Sequence, residues 1–165
     1  MKLKDGNLTY CLGLLAVVLA LITPLSAHAQ CQRWLALPGQ SMPGVDGIVY
    51  AIATLPDGAV IAAGSFSAAG TSLAKNIVRL DDDSWSPLGA GIGGSSEGSV
   101  YAIAVLPNGD IVAGGNFFAA GGVPMNRIAR WNGQSWLPLG AGVDGSVSAL
   151  AVLPNGDLVL SLIHI

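Results

Sequence analysis

Hydrophobic and polar positions fall into two regimes along this chain. Residues 12–22 form an unbroken apolar run, LGLLAVVLALI. From residue 48 onward the apolar residues come instead in short runs divided by Gly, Pro, Asn and Asp. In 100–106, Tyr101, Ile103 and Val105 alternate with Ala102, Ala104 and Leu106. Both faces are apolar or small, which predicts a strand packed between two neighbouring sheets. Leu106-Pro107-Asn108-Gly109 then reads as a turn, with Pro presetting φ and Gly taking the positive-φ site. A second strand is expected over 110–117, where Gly114-Gly115 admits a close backbone. A Gly, Ala and Pro-rich loop follows over 118–125. A third strand is expected over 127–131, a hairpin turn at Asn132-Gly133, and a fourth strand over 135–139. No part of 30–165 carries a helical stripe.

This order of signals repeats. Trp34, Trp85 and Trp136 are spaced 51 residues apart. Residues 49–58 read VYAIATLPDG, 100–109 VYAIAVLPNG and 147–156 VSALAVLPNG. The sequence SWSPLGAGI at 84–92 returns as SWLPLGAGV at 135–143, and Phe66 returns as Phe117. A self-match of this length marks tandem structural units. One four-stranded sheet cannot bury both of its faces. Radial stacking of several sheets does so and leaves only short protected edges. The expected fold is therefore all-β, with four-stranded antiparallel blades of a β-propeller. A linear β-solenoid ranks second, because its rungs usually repeat at a shorter length. The expected organisation is a leader over 1–29, an N-terminal segment over 30–47, blade one over 48–98 and blade two over 99–146. A third blade starts over 147–160, and 161–165 is a tail.

The residues VYAIAVLPNGDIVAGGNF, the AGG loop and NRIARWNGQSWLPLG resemble kelch-type blades and, more closely, bacterial delta-sixty repeats. They are also similar to the propeller of fungal cortical cell-polarity markers. The resemblance spans roughly 34–160. Blade one departs from it at the glycine doublet, where Ala63-Gly64 stands for Gly114-Gly115, and at Asp81-Asp82-Asp83, which stands where blade two has its Asn-Gly turn. The resemblance implies a ring closed by pairing strands from the two ends, so Trp34-Leu35-Ala36-Leu37 is expected to be a ring-closing fourth strand. Two whole blades fall short of the four that closure needs, and an incomplete fragment is expected. Residues 161–165, SLIHI, break the repeat and resemble translated adapter sequence. They are expected to be foreign to it.

Targeting follows from the first regime. Lys2 and Lys4 precede the apolar run, Pro24 ends it, and Ala27-His28-Ala29 offers a small-x-small cleavage pattern. These are the parts of a secretory signal peptide cut before Gln30. The run is shorter than the ~20 residues of a membrane span. A lipoprotein would need a small residue before Cys31, where Gln30 stands. A secreted protein (extracellular, periplasmic or cell-surface) is expected, with membrane contact only through the uncut leader. Cys31 is then the single cysteine, without a catalytic role.

Composition narrows the chemistry. Glycine accounts for 23 of 165 residues, about double the usual share, which fits many tight turns. From Gln30 onward five basic residues face nine acidic ones, so no nucleic-acid partner is expected. The histidines are His28 and His164, which leaves the repeats without the ligands of a usual zinc or copper site or the base of a Ser-His-Asp triad. Kelch-like propellers include copper oxidases, and this lack counts against that branch. No catalytic residue, metal or cofactor is expected. Asp81-Asp82-Asp83 lacks the spacing of a calcium loop and reads as a solvated turn. Asp46 and Asp144 recur in GVDG, explained by turn formation. Arg79 and Arg130 recur on the third strand, where pairing with an acid in each blade is expected. Trp34, Trp85, Trp136, Gly64, Gly114, Gly115, Phe66 and Phe117 are assigned to blade structure. Binding sites on propellers lie where loops converge, here 67–75 and 118–126 with 90–98 and 141–146. The polar candidates for a ligand there are Asn116, Asn126 and Arg127. The leading functional expectation is a non-catalytic binding or surface scaffold for an extracellular protein or glycan. The alternative is an extracellular enzyme, of the polysaccharide lyase or oxidase class, with its catalytic residues outside this chain.

Overall fold

The computed structural model describes residues 44–93 and 98–163. The expected leader, Cys31, Trp34 and the expected strand at 34–37 lie outside them. The fold is all-β, with fourteen strands among the described residues. Blade one is the antiparallel sheet β1 (Ile48–Thr54), β2 (Val60–Ser65), β5 (Ile77–Asp81) and β6 (Ser84–Pro87), in that order. Blade two repeats it with β7 (Ser99–Val105), β8 (Ile111–Asn116), β11 (Ile128–Trp131) and β12 (Trp136–Pro138). A third unit contributes the hairpin β13 (Ser146–Val152) and β14 (Leu158–Ile163). Ser161 and Leu162, the first residues of the expected tail, continue β14 and pair with Ala149 and Val147.

The first turn of each unit is built alike. Gly58, Gly109 and Gly156 donate N–H to the carbonyls of Leu55, Leu106 and Leu153, each at 2.9 Å. All three glycines have φ near +90°, the region where a side chain is strained. The residue before each glycine turns its side chain back on the loop. Asp57 accepts from Ala59 N, Asn108 from Asp110 N and Asn155 from Asp157 N, each at 3.1 Å. Such Asx turns are why Asn and Asp recur there.

Two details depart from the sequence pattern. The expected loop at 118–125 is a small hairpin, β9 (Ala119–Ala120) with β10 (Val123–Pro124). Blade one matches it with β3 (Ala68–Ala69) and β4 (Ser72–Leu73). Two-residue strands are too short to show a period, and Gly70 and Gly121, at φ +61° and +63°, make the reversal. The strict alternation read over 100–106 also fails, because a bulge shifts register between Val100 and Ala102. The same shift lies between Val49 and Ala51 and between Val147 and Ala149. An extra residue in one strand re-aims those after it. Val100 and Ile103 therefore share a face, while Ala102 and Ala104 turn to the other.

Those faces make the core. Blade one offers Ile61, Ala63 and Ile77 to Val100, Ile103, Ile111, Ala113, Ala129 and Trp136 of blade two. Blade two's opposite face offers Val112 and Ile128 to Val147, Leu150, Leu158 and Leu160. Trp136 is buried, and its Nε1 donates to the carbonyl of Leu88 in blade one at 2.9 Å. Blade one's first face gathers Ala62, Phe66, Ala74 and Val78, with the half-buried Trp85 packed on it. The glycine doublet has two distinct jobs. A Cβ at Gly115 would strike the carbonyl oxygen of Ser99 within the blade, as one at Gly64 would strike that of Ile48. A Cβ at Gly114 would instead lie 2.5 Å from Val147 Cγ1 of the next unit. At the equivalent position Ala63 is accommodated and fully buried.

This difference is testable by denaturant unfolding. Gly114→Ala is expected to cost ~1–3 kcal/mol through overpacking. Part of that cost should be recovered on the Val147→Ala background, giving a favourable coupling energy. Gly115→Ala, opposed by backbone, should show no such recovery with Val147→Ala.

Candidate binding surface

At one end of the blades the β3–β4 and β9–β10 hairpins meet the segments joining one unit to the next. Their frame is a set of repeated hydrogen bonds. Phe66 and Phe117, both buried, lead into the hairpins. Asn76 and Arg127 close them, each at φ +62°. Asn76 is 5% exposed; its Oδ1 accepts from Phe66 N at 3.0 Å and its Nδ2 donates to Ile92 O at 2.8 Å. In blade two, Arg127 Nη1 donates to Val143 O and Asn126 Nδ2 to Ala141 O, both at 3.1 Å. Backbone bonds reinforce the ties, from Ile92 N to Lys75 O and from Val143 N to Asn126 O.

The joining segments also reach the following hairpin. Ile92 bridges Ala120, and Gly93 N donates to Ala119 O at 2.8 Å. Val45 likewise bridges Ala69, and Asp46 N donates to Ala68 O at 3.1 Å. The Asp46 carboxylate accepts from Ser67 Oγ at 2.5 Å, Ser67 N at 2.8 Å and Ala68 N at 2.9 Å. Turn formation within GVDG therefore understates Asp46, which holds a hairpin 21 residues on. The Ser67 hydroxyl first, then the two amides, hold its carboxyl below the usual range. A charged acceptor bonded to several N–H and O–H donors is stabilised in that form.

The sequence candidates for ligand contact are thus placed unequally. Asn126 and Arg127 adjoin each other and are bonded to the joining segment. Asn116 is exposed at the end of β8, opposite Ser99. The Arg127 guanidinium lies 4.8 Å from the centre of the Phe118 ring, a cation–π contact, and its Nε is buried without a hydrogen-bond partner. What the hairpins display outward is apolar: Leu73 is 84% exposed, and Phe118 and Val123 about half. Leu73, Ala74, Pro87 and Ala90, with Ser67 and Lys75 as polar members, line a groove of about 400 Å3. Neither the hairpin strands nor Asn76 were picked out by sequence reasoning. The offset recurrence of Asn at 76 and 126 was the available signal.

The opposite end carries charge. Arg79 Nη2 lies 2.9 Å from both Asp57 and Asp81, and Arg130 Nε 3.5 Å from Asp110. The pairing of each arginine with an acid of its own blade is present. The bond to Asp81 leads in raising the Arg79 pKa, followed by that to Asp57. Asp57 is lowered by the Ala59 amide first and Arg79 second. A cleft of about 420 Å3 lies between the turns at 55–57 and 107–109 beside Arg79. Asp82 and Asp83 form the exposed turn between β5 and β6.

A family model described as a domain of unknown function (DUF5122) beta-propeller matches residues 55–84 and 106–133, one stretch in each complete blade. Comparison with curated proteins and with solved structures gives no match.

Two outcomes follow from the frame. Asn76→Ala should destabilise by ~1–3 kcal/mol, the cost of stranding buried partners. Arg127→Asn should leave stability at or above that of the parent chain, because Asn tolerates the left-handed region better. Thermal unfolding of both variants checks the pair. For Asp46, a lowered pKa means that its contribution is complete above the unfolded value of about 3.9. That contribution is lost as pH falls through the folded value. The carboxyl carbon resonance should therefore titrate below that of an unstructured Asp, and Asp46→Asn should flatten the acid limb of the stability profile.

Proposed function

We propose that this chain is a secreted, non-catalytic repeat scaffold whose hairpin end contacts an extracellular protein or glycan. One observation carries the reading. The polar side chains of that end, Asn76, Asn126, Arg127 and Asp46, are bonded into the frame, while Leu73, Phe118 and Val123 stand outward beside a shallow groove. Rigid loops with exposed apolar side chains suit binding rather than proton transfer or bond cleavage. Export is supported by the charged, apolar and small-residue order of 1–29. Within the propeller class, the delta-sixty type of repeat is the closest reading of the motifs, with kelch-type blades and fungal polarity markers as more distant relations.

Expression of the full chain in a secreting host tests both halves. Released protein should have the mass of a chain starting at Gln30; retention of 1–29 would sink the export claim. On a glycan and extracellular-protein array, the parent should give discrete hits that fall at least tenfold in the Leu73→Asp, Phe118→Asp double variant. Hits that survive the double variant, or turnover of an arrayed polysaccharide, would overturn the scaffold reading.

A further inference from the structure

The same contact between units is made twice inside this chain, and its two halves are left open at the ends of the stack. The second face of blade one, through Ile61, is covered by blade two, and that of blade two, through Val112, by the third unit; both residues are 0% exposed. Val159 holds the equivalent position in the third unit and is 50% exposed. Leu55 and Leu106 pack into the inter-unit cores, whereas their counterpart Leu153 is 42% exposed. The first face shows the reverse. Ile103 and Leu150 insert against the preceding unit, while Ile52, at the same place on β1, is 68% exposed.

From this we infer that the open face of the third unit, centred on Val159 and Leu153, docks the open face of blade one, centred on Ile52, of a second copy of this chain. The occupant is identified by the contacts already present. What seats on Ile61 is a β-hairpin face carrying Ile103 and Ile111, and what seats on Val112 is one carrying Leu150 and Leu158. Blade one bears the corresponding residues Ile52 and Val60 on β1 and β2. The surface that fits Val159 is therefore found on the chain itself. The contact joins two different faces, so it is head-to-tail, and copies add until a ring closes or an open stack grows. This inference is separate from the hairpin-end binding site, since Ile52 and Val159 lie within the sheets.

A complementation experiment reads the interface directly. The exported full chain is compared with Ile52→Asp and Val159→Asp by light scattering and sedimentation. Both residues are exposed, so circular dichroism should show an unchanged β signature. The parent should self-associate with rising concentration. Each variant retains one working face and should be monomeric. A one-to-one mixture of the two should form a dimer and nothing larger, because Ile52 of the Val159→Asp chain meets Val159 of the Ile52→Asp chain while the outer faces are blocked. A parent that stays monomeric, a single variant that associates like the parent, or a mixture that stays monomeric would each overturn the inference. So would a parent that purifies with a different protein shielding Val159.

Discussion

Everything in this molecule depends on sheets that are apolar on both faces. A strand such as β7 places Val100 and Ile103 on one side and Ala102 and Ala104 on the other, so a blade in water would expose hydrocarbon whichever way it turned. Burial is worth about 25 cal/mol per Å2 of apolar surface, and only a neighbouring blade can supply it on both sides. The fold is thus a stack by necessity. Its spacing is set where the sheets come nearest, at Gly114 beneath Val147 and at Ala63 one blade earlier. Trp136 adds direction, because its indole N–H needs an acceptor once buried and finds Leu88 across the interface.

Stacking leaves two rims, and the chain treats them differently. At the turn end each unit solves the same local problem with side chains of its own. In blade one Asp57 serves both the Asx turn and Arg79. In blade two the tasks are divided, with Asn108 in the turn and Asp110 beside Arg130. At the hairpin end the bonds run between units as well as within them, through Asp46, Gly93 and Gly121. That rim is consequently the stiffer of the two. A rim already stiffened by its own bonds loses little freedom on contact with a partner, which lowers the cost of binding.

The repeat made the architecture legible. A 51-residue period, the Pro-Asn-Gly turns and the runs of small and apolar residues led to four-stranded antiparallel blades, and two such sheets are present. Three things were hidden. The bulge at Tyr101 was invisible because Val, Tyr, Ala and Ile look equally apolar whichever face they occupy. The β3–β4 and β9–β10 hairpins were too short to carry a period. Asn126 and Arg127 looked like free polar groups in an apolar loop. Their partners are main-chain carbonyls of Ala141 and Val143, which no side-chain pattern advertises.

The departures between blades are the most informative positions, because they show what the fold requires and what it merely uses. Residues 76 and 127 share a left-handed backbone and a bond to the carbonyl at 92 or 143, yet one is Asn and the other Arg. The requirement is a donor of the right reach; size and charge are free. Arg127 uses that freedom to lie against Phe118 at the surface, whereas Asn76 is buried and sits behind a hairpin whose outermost residue is Leu73. Two blades with one frame therefore present different surfaces. In a repeat protein such differences are where selectivity for a partner can arise, since everything that is identical between blades is already occupied in holding the stack together.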